Sequence, residues 1–311
     1  MKRKMLNVPK GGYDGMKGFT IVEFLVAGLL SIIVLIAVVS SYFTSRKLND
    51  AANERLAIQQ DLRNAATLIV RDARMAGSFG CFNMSEHTEK DVVFDVVQKN
   101  RPFPLKGSSA NKLIPIAESL NIGYQGFAQV RPALIFQYGI DDVNASAETT
   151  VVSSCGVISK PGKQIPTLED AKKELKIQNS GKEQNGNIAR QRHVVNAYAV
   201  GRIAGEEGLF RFQLDDKGKW GNPQLLVKKV KRMDVRYIYV SGCPEDAGKE
   251  EQFKYTDKFD KSRDAVTPAG VEVLLDSGLD AKIAASSDNS IYAYRINATI
   301  RGGNVCANRT L

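Results

Sequence analysis

Residues 19–43 read FTIVEFLVAGLLSIIVLIAVVSSYF, an apolar stretch in which Glu23 is the single side chain charged at neutral pH. As a helix rising about 1.5 Å per residue, these 25 residues reach about 37 Å, enough to cross a hydrocarbon core of about 30 Å. One membrane-spanning helix is expected. Ahead of it stand Lys2, Arg3, Lys4, Lys10 and Lys17 against one acid, Asp14, so the leading end is expected on the cytoplasmic side. A signal peptide has the same order of basic and apolar regions, but its apolar core is about 7–15 residues long, and no A-x-A cleavage site follows Val39 here. An uncleaved signal anchor fits the length and the charge. Neither reading explains Glu23, because a carboxylate within a spanning helix costs about 2.5–3.5 kcal/mol near the centre, and less near the end where Glu23 lies.

Beyond Phe43 the helical pattern continues in amphipathic form. Leu48, Ala52, Leu56, Leu62, Ala66, Ile69, Ala73 and Ala76 recur mostly three or four residues apart, while Arg46, Asn49, Asn53, Arg63 and Arg71 mark a solvated face. No proline interrupts Phe19 to Ala76, so a single helix is expected over that range, ended by Gly77 and Gly80. Heptads with regular flanking charges are not evident, which argues against a simple coiled coil.

Around Glu23 three features coincide: Lys17-Gly18 closes the basic leader, Phe19 opens the apolar run, and Glu23 is the fifth residue counted from Phe19. In this the chain resembles a type IV prepilin. The resemblance implies cleavage by a prepilin peptidase between Gly18 and Phe19, N-methylation of Phe19, and pairing of Glu23 with the new amino terminus of a neighbouring subunit. Two charges that are each costly in an apolar bundle are tolerable as a pair, and removing one strands the other at about 3–5 kcal/mol. A second tract sharpens the likeness. Arg71, Asp72, Arg74, Met75, Ala76 and Gly77, followed by Phe79, Gly80 and Cys81, are similar to a run found in minor pilins of the PilW type, labelled PilJ in some pilus systems.

That family implies an α+β fold of pilin-like lollipop form, a long N-terminal α-helix whose first half is transmembrane, packed on an antiparallel β-sheet domain. On this reading residues 1–18 are a cleaved leader, 19–43 the transmembrane and assembly helix, 44–76 its amphipathic continuation, and 77–311 a disulfide-bonded, β-rich periplasmic domain. The partners implied are other minor pilins, the major pilin, the prepilin peptidase, the inner-membrane assembly platform and the membrane itself. A pseudopilin of a type II secretion system shares the leader, the glutamate and the helix. A single-pass anchored periplasmic protein or adhesin is the alternative from another class.

The composition fits a folded domain of ordinary core size. The chain has 311 residues, room for one or two units, with 43% hydrophobic and 25% charged residues, values that disfavour disorder, collagen and a multi-span membrane protein. Alternation of apolar and polar positions predicts strands over Met233–Val240 and Tyr292–Ile300, and apolar β-branched runs predict others at Asp91–Val97, Ala133–Tyr138 and Thr149–Ile158. Leu209–Leu214, Asp215-Asp216-Lys217-Gly218 and Lys219-Trp220 read as a hairpin. The stretches Gly162–Asn187 and Gly242–Thr267 read as polar loops without a core of their own.

Cys81, Cys155, Cys243 and Cys306 all follow the membrane span, where an oxidising periplasm favours disulfides. Four cysteines allow three pairings. Chain order favours Cys81 with Cys155 and Cys243 with Cys306. Zinc is the competitor, but there is no CxxC, and the histidines are His87 and His193 alone. No GxSxG, HExxH or P-loop occurs, so neither an enzyme nor a cofactor is expected. The net charge of +9 includes the run Lys228-Lys229-Val230-Lys231-Arg232, read as a solvated strand face compensated by acids in Glu245–Glu251, and nucleic acid is not expected as a partner.

Overall fold

The structure, a computed structural model, describes residues 18–93, 113–142, 144–176, 187–241, 252–257, 259, 267–276 and 294–300. It divides into two compact units, Met1–Ala57 and Ile58–Leu311. A single helix, α1 (Ile21–Met75, 55 residues), begins in the first unit and ends in the second. In the first unit every described residue is exposed, including Leu48, Ala52 and Leu56 of the recurring apolar positions. The helix is long and apolar enough, by length and composition, to cross a membrane.

In the second unit α1 turns a distinct face inward. Its buried residues are Ile58, Leu62, Ala65, Ile69, Asp72 and Ala73, spaced three and four apart until the last pair. The helix stops where the sequence stops supporting it. The Gly77 N–H donates to the Gln137 carbonyl at 2.8 Å, and Gly77 has φ +77°. A Cβ at Gly77 would sit 2.8 Å from Cβ of Pro115, so conformation and space both call for glycine.

The rest of the unit is mainly strand: β1 (Ser78–Phe79), β2 (Phe82–Asn83), β3 (Val92–Val93), β4 (Ile116–Ser119), β5 (Ala128–Gln129), β6 (Ala133–Ile140), β7 (Thr150–Ser153) and β8 (Ile158–Ser159). After a short helix, α2 (Leu168–Glu174), come β9 (Ala189–Ile203), β10 (Glu206–Leu214), β11 (Trp220–Lys228), β12 (Arg232–Ser241), β13 (Gln252–Thr256), β14 (Gly270–Asp276) and β15 (Tyr294–Thr299). Among the described residues nine strands form one sheet in the order β11-β10-β9-β7-β8-β3, with β5 and β6 also paired to β9, and β4 to β6. A second sheet runs β13-β12-β14-β15. Among the described residues every ladder is antiparallel but one: β3 and β8 pair parallel through Val92 with Ile158 and Val93 with Ser159.

Both faces of the larger sheet are buried. Leu134, Phe136, Tyr198, Val200 and Leu209 join the helix residues and the inner face of the second sheet, including Tyr237, Val271, Val273 and Ile296. On the opposite face Ile135, Ala197, Phe210 and Phe212 pack with Tyr124 and Phe127. The ring of Phe127 lies over Gly201, where a Cβ would come within 2.4 Å of it. The two sheets are also tied by the Tyr237 hydroxyl, which donates to Oε1 of Glu118 at 2.7 Å.

Several sequence expectations need correction. The loop read at Gly162–Asn187 contains α2, started by Thr167, whose Oγ1 accepts from the Asp170 N–H. That helix has a small core of its own, Ile165, Ala171 and Leu175 against Val152. The loop read at Gly242–Thr267 contains β13, which pairs with β12. Thr149–Ile158 is two strands joined by a turn, in which the Ser154 N–H donates to the Val157 carbonyl at 2.8 Å. Of Asp91–Val97, Val92 and Val93 are strand, and residues 94–97 lie outside the described residues. The longest strand, β9, and the buried β14 were not anticipated.

Candidate functional site

The N-terminal residues singled out by the sequence stand together at the start of α1. Gly18 and Phe19 precede the helix, and Phe19 is 86% exposed. Nothing lies within 4 Å of a Cβ built on Gly18. Thr20 and Glu23 form a reciprocal cap. The Thr20 N–H and hydroxyl each donate to Oε2 of Glu23 at 3.0 Å, and the Glu23 N–H donates to the Thr20 hydroxyl at 3.3 Å. This Thr-x-x-Glu arrangement satisfies donors that the helix leaves unpaired and sets a negative charge at the positive end of the helix dipole. Both side-chain bonds use Oε2, so Oε1 keeps its lone pairs for a further donor. Residues 1–17, the basic leader, lie outside the described residues.

The second site is the Arg71–Cys81 tract, and its centre is Asp72, which is fully buried. The Tyr198 hydroxyl donates to Oδ2 of Asp72 at 2.6 Å, the Asn196 amide to the same oxygen at 2.9 Å, and the Tyr138 hydroxyl to Oδ1 at 2.9 Å. Arg211, its side chain 8% exposed, brings Nη2 to 3.5 Å from Oδ2. Arg71 reaches Oδ1 at 3.2 Å from the rim, its own side chain 55% exposed. A buried carboxylate needs this degree of pairing, since charge taken out of water is costly unless hydrogen-bonded and neutralised. The two hydroxyls respond in turn. Burial and then the Asp72 charge push the Tyr138 hydroxyl up to about 12, and the Tyr198 hydroxyl is raised further for the same reasons.

Downstream, the tract makes a tight β1/β2 hairpin pairing Ser78 with Asn83 and Phe79 with Phe82. The hydroxyl of Ser153 donates to the Phe79 carbonyl at 2.7 Å. At the hairpin tip Cys81 is bonded to Cys155, with Cα atoms 4.7 Å apart and both residues exposed. Cys243 and Cys306 lie outside the described residues.

The sequence singled out Asp72 only as a letter in a motif. It missed Tyr138, Asn196, Tyr198 and Arg211 altogether. The available signal was an acid one residue before Ala73 on the apolar stripe.

The basic run is a linker and not a strand face: Lys228 ends β11, Arg232 begins β12, and Val230 between them is buried. Lys228 lies 3.8 Å from Glu206, and Arg232 is paired with Asp234, so the run is compensated within the strands. The acids at Glu245–Glu251 lie outside the described residues. The hairpin turn is closed by the Asp215 N–H donating to the Lys219 carbonyl at 2.8 Å. His87 stacks on Phe82, whereas His193 is buried beside Gln137. Among the described residues no cluster of three or more His, Cys, Asp or Glu side chains could hold a metal. Comparisons with protein-family models, with curated proteins and with solved structures return no match for this chain.

Proposed function

We propose that the chain is a structural minor pilin, cut between Gly18 and Phe19, methylated on the new amino terminus, and used with other minor pilins to prime and assemble type IV pili. One observation carries this reading: a Gly-Phe junction with Glu23 four residues on, at the start of an apolar helix whose residues as far as Ala57 are all exposed. Such a helix needs lipid or other helices around it, because a contiguous exposed apolar surface of this length is not stable in water. A pilin-like fold, a periplasmic folded unit and contacts with the peptidase and assembly platform belong to the same proposal. The Arg71–Cys81 tract favours the pilus over a type II secretion pseudopilin.

Glu23 has two compatible roles in this proposal. It caps its own helix through Thr20, and Oε1 takes the Phe19 amine of a neighbouring subunit. Mass spectrometry of the membrane-extracted protein tests the processing step, with methylated Phe19 as the expected first residue and a chain still beginning upstream as the result that rejects it. Glu23→Ala and Glu23→Leu test assembly: both are expected to be cleaved yet excluded from filaments. Loss of surface pili on deletion, with secretion intact, separates the pilus reading from the pseudopilin reading.

A further inference from the structure

Asp72 is the one charged residue on the buried stripe of α1, and besides Arg71 of its own helix its partners come from three neighbouring strands: Tyr138 from β6, Asn196 and Tyr198 from β9, and Arg211 from β10. The remaining contacts of that stripe are apolar, through residues such as Ala65 and Ile69, and apolar attraction has little direction. Such a surface alone tolerates a shift of the helix along the sheet. The carboxylate does not. A slip of one residue moves it about 1.5 Å along the axis and turns it about 100°, which withdraws it from all four strand residues and leaves it only Arg71 of its own helix.

We infer that Asp72 is a latch that holds α1 in one register on the larger sheet, and that opening it releases residues 58–75 as a unit while the sheet stays folded. The second half of this inference rests on the sheet's other face. Phe210, Phe212 and Ile135 belong to a separate core that includes nothing from α1, so the central strands keep one packed face after the helix leaves. The released segment can travel only as far as Cys81, which the bond to Cys155 ties to the turn after β7. The latch stands on the fold alone and does not depend on the pilin reading.

Hydrogen exchange read by mass spectrometry on the full chain in detergent tests it, comparing the unmodified protein with Asp72→Asn and Tyr198→Phe. In Asp72→Asn the amides of residues 58–75 are expected to exchange about tenfold faster or more, with those of β9 and β10 unchanged. Tyr198→Phe removes one hydroxyl and keeps the ring, and a smaller acceleration confined to the same helix segment is expected. If helix and strands accelerate together, or the helix does not accelerate, the latch is rejected. Should Asp72→Asn fail to fold, the pattern in Tyr198→Phe decides by the same criterion.

Discussion

The hydroxyl of Tyr198 in β9 and the carboxylate of Asp72 in α1 are joined by a 2.6 Å hydrogen bond across 126 residues of chain. Around that bond a second tyrosine, an amide and an arginine complete the neutralisation of a charge with no exposure to water. The helix and the central strands are therefore stabilised by an arrangement in which each member depends on the others.

Removing the carboxylate should cost more than removing any one donor. Asp72→Ala leaves Arg211 buried without its charge partner and is expected to destabilise the folded unit by about 3–5 kcal/mol, whereas Tyr198→Phe should cost about 1.5–3 kcal/mol. Asp72→Leu combined with Arg211→Met should be more stable than Asp72→Leu alone, because no unpaired charge remains. Denaturant unfolding followed by tyrosine fluorescence measures all four variants.

Raising the pH should weaken the fold from about pH 10 upward. Below the ordinary tyrosine value of 10.0, the hydroxyl of Tyr138 is protonated in the folded and unfolded chain alike. Above it the unfolded chain ionises first, while burial and the Asp72 charge keep the folded hydroxyl protonated to about 12, so stability falls as pH rises through that window. The raised values of Tyr198 and Tyr237 extend the decline in the same direction. Tyr138→Phe should flatten the slope, as read from denaturation midpoints between pH 9 and 12.

Gly77→Ala should destabilise the junction between α1 and β1. A positive φ costs an L-residue about 1–2 kcal/mol, and the new methyl would press on Pro115. A lower thermal midpoint with an unchanged disulfide content is the expected result. Gly18→Ala, by contrast, meets open space and should leave stability unaltered.

Replacing Cys81 and Cys155 together by Ser should lower stability by about 2–5 kcal/mol, since the bond closes a loop with a sequence separation of 74. Ser153 still donates to the Phe79 carbonyl beside it, so the β1/β2 hairpin is expected to remain docked. Denaturant midpoints of the variant and the unmodified protein give the cost.

What could be read in the sequence was what repeats locally. The α1 pattern, the alternation in β12 and the Asp215–Gly218 turn each announce themselves within a few residues. Strand β9 did not, because both its faces are buried: Val195, Ala197 and Ala199 pack on one side, Asn196 and Tyr198 on the other, and alternation disappears. The residues around Asp72 were illegible for another reason. They are 66 to 139 positions away along the chain, and only the sheet register, which sets Arg211 opposite Tyr198, brings them to one point. Around Glu23 the sequence read an acid in need of a partner. Thr20, three residues earlier, is a partner that the spacing alone could have supplied.

The exposed bridge from Cys81 to Cys155 also bears on how damage would register. A protease that nicks the backbone once between those two cysteines produces two fragments that remain one molecule, migrating as a single band on a gel run without reductant and separating only when thiol is added. Apparent intactness by size without reductant is therefore no measure of an unbroken chain between Cys81 and Cys155.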